Sequence, residues 1–77
     1  MMRATVWSKD QCPYCLMAKD LLRTQGIEYE ERNISQSEWT REQLLEAVPY
    51  ARTLPQIFID DQLIGGYDAL KKHFNKK

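Results

Sequence analysis

At 77 residues, 43% of them hydrophobic and 29% charged, the chain is sized for one small domain, 1–77, with a single core; folding at this length buries only about 60% of the unfolded surface. Its 11 basic side chains balance 11 acidic ones, so no global field gathers nucleic acid or an anionic membrane. The opening MMRATVWSKD lacks the apolar run of a signal peptide and no stretch reaches the roughly 20 apolar residues of a membrane-spanning helix, which makes the cytoplasm the expected location; nothing in the sequence suggests an obligate dimer, so a monomer is the expected state.

In chain order, ATVWS is a short β-prone run that passes into polar KDQ and reads as a first strand. From Pro13 the pattern turns helical, with Leu16, Met17, Leu21 and Leu22 on one face around Ala18 and with Gly26 as the stop. IEYEERNI follows as a second strand, its charges predicting limited burial. SQSEWTREQLLEAV reads as a second helix, opened by a capping box of Ser35 with Glu38, carrying Leu44, Leu45 and Val48 on one side and stopped by Pro49. QIFI and QLI flank the Asp60–Asp61 turn as a hairpin, and YDALKKHF after two glycines is a last helix anchored by Leu70 and Phe74. The order βαβαββα predicts an α/β fold with a mixed sheet, the first two strands parallel and the last two antiparallel.

Both cysteines fall in one stretch, DQCPYCLMAKDLL. Three roles fit two nearby thiols. A structural staple would close a very short loop and constrain the unfolded chain little; a zinc site wants about four ligands, and beyond the pair the chain offers only His73 and scattered carboxylates; a redox couple suits the spacing and the expected compartment best, with inert thiols as the alternative. At a helix N-terminus a thiolate meets unsatisfied N–H groups and the positive end of the dipole. Pro13 suits the first helical position, where its missing N–H costs nothing. Cys12 is therefore the candidate nucleophile, its pKa drawn below the ordinary value of about 8.5 with Lys9 three residues upstream adding positive charge, and Cys15, one turn inside the helix, is the resolving thiol. Trp7 and Trp39 read as packing, and His73 as an ordinary residue of the last helix.

CPYC after the first strand, TLPQIFI, and IGGYDAL, in this order and at these separations, resemble the dithiol glutaredoxins of the thioredoxin superfamily over nearly the whole chain. The resemblance implies a thioredoxin-like fold, a four-stranded mixed sheet flanked by three helices, and a glutathione-dependent thiol–disulfide oxidoreductase with glutathione as reductant and co-substrate and no metal. It implies that Thr53, Leu54 and Pro55 form a loop with a cis proline whose Leu54 backbone pairs with the cysteine of glutathione. Gly66, Tyr67 and Asp68 would hold the γ-glutamyl end, while Lys9 and Tyr14 lie near the glycine carboxylate. Family members often place a glutamine or arginine of the second helix at that carboxylate; here the stretch offers Arg41, Glu42 and Gln43, with no choice among them.

The implied substrates are glutathione mixed disulfides and protein disulfides, ribonucleotide reductase being one that small glutaredoxins serve, at a potential of roughly −200 to −230 mV. Rival readings are a redoxin reduced by thioredoxin reductase, a glutathione-ligated [2Fe-2S] carrier, against which Pro13 argues because cluster-binding relatives usually differ there, and a non-catalytic interaction module.

Overall fold

β1 (Arg3–Ser8) runs between β2 (Glu28–Asn33) and β3 (Gln56–Ile59) in a sheet of order β2-β1-β3-β4, with β4 (Gln62–Gly65) at the far edge. The computed structural model describes residues 2–36 and 38–75. β1 pairs parallel with β2 and antiparallel with β3, and β3 pairs antiparallel with β4, as the element order predicts. The parallel pair needs a crossover, supplied by α1 (Pro13–Thr24); β3 and β4 need only the two-residue turn. In that turn Asp60 and Asp61 both take positive φ, 50° and 67°, the conformation that lets a two-residue loop follow strand twist. The Asp60 carboxylate also accepts the Arg3 N–H at 3.0 Å, tying the turn to the start of β1.

Alternation along the central strands divides the core. Ala4, Val6, Ile57 and Ile59 face one side, where Ala18 and Leu22 of α1 and Leu70 of α3 (Tyr67–Asn75) cover them. Trp7 faces the other, with Leu44 and Val48 from α2 (Arg41–Ala47) and its end, and partly buried Trp39 and Phe58 beside them. The tryptophans meet edge to face at 5.5 Å, and the Arg32 guanidinium sits 4.4 Å from the Trp39 ring. Edge strand β2 buries none of its residues fully, and its charges discourage pairing with another chain.

Three expectations about the helices need correction. On α1 the buried stripe is Cys15, Ala18 and Leu22, while Leu16 is 59% and Met17 43% exposed. The helix is rotated so that a cysteine and an alanine meet the sheet, since small side chains allow close approach at the end nearest the site. The capping box is Thr40 with Gln43, not Ser35 with Glu38. The Thr40 hydroxyl accepts the Gln43 N–H at 3.1 Å and the Gln43 amide oxygen accepts the Thr40 N–H at 2.9 Å, so α2 starts at Arg41. Leu45, counted with the apolar side, is 38% exposed. At the other end Val48, at φ −134° and ψ 84°, has left the helical region, as a residue before proline tends to, and Pro49 follows. Gly26 does end α1: at φ +72° its N–H binds the Arg23 carbonyl and the Ile27 N–H binds the Leu22 carbonyl, a Schellman closure.

Candidate active site

The segment between β1 and α1 is held by a knot of short polar side chains. The Asp10 N–H donates to the Ser35 hydroxyl, Asn33 donates its amide to the Asp10 carboxylate, and the Ser35 N–H donates to the Asn33 side-chain oxygen, all between 2.8 and 3.0 Å. Ser35 thus fixes the approach to the cysteines rather than starting a helix. Gln11 then takes φ 55°, a left-handed conformation uncommon outside glycine. That turn delivers Cys12 to the N-cap of α1 with Pro13 as the first helical residue.

Cys12 Sγ accepts the Cys15 N–H at 3.2 Å, so the sulfur occupies the place of a capping oxygen and faces the helix N-terminus. The same atom lies 3.8 Å from the Leu54 carbonyl oxygen. Cys12 and Cys15 are joined as a disulfide, with Cα atoms 5.2 Å apart. Cys12 keeps 7% of its surface and Cys15 2%, so access favours Cys12, though it is far less open than the sequence suggests.

Beside Cys12 runs an open groove of about 450 Å³. It is lined by Thr53, Leu54 and Pro55 from the loop before β3 and by Gly66, Tyr67 and Asp68 from the start of α3, together with Tyr14 and with Ala69, which the sequence did not single out. The Leu54–Pro55 peptide is cis. Tyr14 and Tyr67, both in the groove's lining, stack at 6.0 Å. Of the glycine pair only Gly65 needs its freedom, at φ +122°. Gly66 has an ordinary conformation; its carbonyl accepts the Leu70 N–H at 3.0 Å and so begins α3, which places Asp68 in the first turn.

Lys9 stands apart from that groove. It lines a second, adjoining one with Arg41, Arg52 and Leu45, and the two share Thr53 and Leu54. Arg41 is thus the second-helix residue beside Lys9; Gln43 is committed to the capping box, and Arg52 joins them unforeseen. The grooves together offer an acid at one end, three cations at the other and the Cys12 sulfur between.

Behind the disulfide lies a polar cluster that the sequence did not reveal. The buried Ser8 hydroxyl donates to Glu31 at 2.7 Å and Lys19 donates to the same carboxylate oxygen at 2.9 Å. Burial pushes the Glu31 carboxyl up, but the hydrogen bonds from Lys19 and Ser8 and the Lys19 charge outweigh both that and the nearby Asp10, and its pKa falls below the ordinary value. Lys19, one turn after Cys15, was the available signal. Among the described residues no group of three or more His, Cys, Asp or Glu side chains is arranged to hold a metal ion.

A family model described as Glutaredoxin matches residues 4–64. The chain belongs to the glutaredoxin family. It is 41% identical over 65 residues to a probable glutaredoxin of Synechocystis, covering 84% of this chain and 74% of that one, and 40% identical over 70 residues to glutaredoxin 3 of Escherichia coli, covering 91% and 83%. Among solved structures it superposes on glutaredoxin 1 of Francisella tularensis with a TM-score of 0.79 at 31% identity, covering 99% of this chain and 100% of that one. A buckwheat glutaredoxin in complex with glutathione gives 0.77 at 32% identity, covering 94% and 68%. The chain is accordingly a thiol–disulfide oxidoreductase with a thioredoxin-like fold, and Cys12 and Cys15 are its C-x-x-C pair.

Proposed function

We propose that this glutaredoxin is a glutathione-dependent oxidoreductase of the cytoplasm that reduces glutathione mixed disulfides and protein disulfides. The observation that carries this reading is the charge order along the two joined grooves: Asp68 and the start of α3 at one end, Cys12 Sγ in the middle, and Lys9 with Arg41 and Arg52 at the other. Glutathione has the matching order, with an ammonium and carboxylate on its γ-glutamyl end, a central thiol and a glycine carboxylate. In this pose Asp68 meets the ammonium, N–H groups at the start of α3 meet the γ-glutamyl carboxylate, the Leu54 backbone pairs with the cysteine portion, and Lys9 and Arg41 take the glycine carboxylate. The complex formed by the buckwheat relative supports the same ligand.

The Cys12 thiolate attacks the glutathionyl sulfur of a mixed disulfide, and the protein thiolate leaves. A second glutathione thiolate then takes that sulfur as glutathione disulfide and restores Cys12. With a protein disulfide, Cys12 forms the mixed disulfide and Cys15 attacks Cys12 Sγ, releasing the reduced protein and closing the Cys12–Cys15 bond; ribonucleotide reductase falls in this substrate class.

Reduction of a glutathionylated peptide, coupled through glutathione to glutathione reductase and NADPH, tests the reading. Activity is expected there and not with thioredoxin reductase and NADPH in place of the glutathione system; the reverse result would assign the protein to the other electron source. Asp68→Ala should raise KM for the glutathionylated substrate several-fold while leaving the alkylation pH profile of Cys12 in place. An unaltered KM would remove Asp68 from the site.

A further inference from the structure

The mechanism above gives Cys15 two tasks, to leave as a thiolate when the disulfide is opened and to attack as one when a mixed disulfide is resolved. Burial opposes both, because a thiol that is only 2% exposed has lost most of the bulk water that would stabilise its charge. No helix start compensates: its N–H groups face Cys12, and Cys15 lies within the first turn.

What Cys15 lines, together with Cys12, is a cavity of about 160 Å³ that reaches Lys19 and Glu31 and has Lys9, Asp10 and Asn33 at its rim. It can hold several waters, each of which occupies about 30 Å³ in the liquid. Cys15 and Lys19 are four residues apart on α1 and so share a helix face, with Cβ atoms about 5–6 Å apart. The Lys19 side chain, only 17% exposed, is held by Glu31 of β2, which is held in turn by Ser8 of β1. The carboxylate spends one oxygen on both bonds, while the ammonium has further N–H groups beyond the one it gives to Glu31.

We propose that the Lys19 ammonium, positioned by Glu31 and Ser8, is the countercharge for the Cys15 thiolate and sets the rate at which the active-site disulfide opens and mixed disulfides are resolved. When a reducing thiolate attacks Cys12 Sγ, the Cys12–Cys15 bond breaks and its electron pair stays on Cys15 Sγ. Lys19 stabilises that charge until a proton arrives from water through the cavity. In resolution the steps reverse: Cys15 gives its proton to water and the thiolate attacks Cys12 Sγ. Lys9 adds to the ammonium at the rim, and the carboxylates of Glu31 and Asp10 work against it. The inference rests on the proposed function for the identity of the thiol in the cell, but not for the chemistry, which any thiol performs.

The test uses Cys15 as the sole thiol in a Cys12→Ser background, titrated by its alkylation rate with iodoacetamide against pH. Lys19→Met should move the thiolate titration up by about one pH unit or more, as loss of an adjacent opposite charge does. Lys19→Arg should restore most of it, and Arg23→Met, which removes a cation from an outward position of the same helix, should leave it in place. In the two-cysteine protein, opening of the disulfide by dithiothreitol should slow several-fold in Lys19→Met, because a less acidic thiol is a poorer leaving group. Lys19→Gln provides a second neutral variant should the methionine misfold by circular dichroism. An unmoved titration in the neutral variants, an equal shift in Arg23→Met, or an arginine no better than methionine would overturn the proposal. Dithiothreitol separates this result from the functional reading: unchanged Lys19 variants with glutathione activity intact remove Lys19 alone, while a wild type opened by dithiothreitol but inert towards glutathionylated peptide removes glutathione alone.

Discussion

Glu31 ties the site to the stability of the molecule. Its carboxyl has a folded-state pKa below the ordinary glutamate value of about 4.3, so the unfolded chain binds the proton more readily than the folded one. The contribution is therefore present above that ordinary value and is lost as pH falls through the lowered folded value. Glu31→Gln should lower the urea midpoint at pH 7, and its difference from wild type should shrink as pH drops below about 4. A gap that stayed constant down to pH 3 would mean that ionisation of Glu31 does not stabilise the fold. None of this was legible in IEYEERNI, where three glutamates look alike. Only the parallel register, which sets Val6 beside Glu31 and Ser8 beside Asn33, separates the one that faces α1 from Glu30, which faces away and pairs with Arg32.

At the scale of elements, apolar periodicity located every helix and strand but misjudged part of the buried face of α1. The expected side held Leu16, Met17, Leu21 and Leu22 around Ala18; packing kept Ala18 and Leu22, added Cys15 and left Leu16 and Met17 exposed. Hydrophobicity cannot register that a small residue permits closer approach to the sheet than a large one. Leu22→Ala should therefore cost about 2–5 kcal/mol in equilibrium urea unfolding, whereas Leu16→Ala should fall within about 0.5 kcal/mol of wild type. Equal losses would restore the face expected from the sequence. The second helix went astray for a different reason. Ser35–Glu38 and Thr40–Gln43 both have capping-box spacing, and the choice depends on Asp10, distant in the chain, which together with neighbouring Asn33 takes Ser35 for the loop before the cysteines.

Across the whole molecule, three short motifs far apart in sequence meet around one sulfur, and that convergence was legible because each carries its own local signature: proline after a cysteine, a proline before a strand, a glycine pair before a helix. The sheet accounts for it geometrically. The C-terminal end of β1 leads to Cys12, β3 begins at its neighbouring end just after Pro55, and β4 returns to that end at Gly65, so all three motifs lie on one edge of the fold. Less legible were the supports, Arg41 and Arg52 in the adjoining groove and the Ser8–Glu31–Lys19 chain, because charged residues at those spacings are ordinary surface in most sequences. The central claim concerns how the two sulfurs divide the work, and one comparison tests it: Cys12→Ser and Cys15→Ser assayed side by side on a glutathionylated peptide with glutathione as reductant. Cys12→Ser should lose activity entirely, since Cys12 is the more accessible sulfur and the one capped by the helix N–H. Cys15→Ser should retain activity while failing to turn over a disulfide-bonded protein without added glutathione. Activity that survived in Cys12→Ser and vanished in Cys15→Ser would contradict the account.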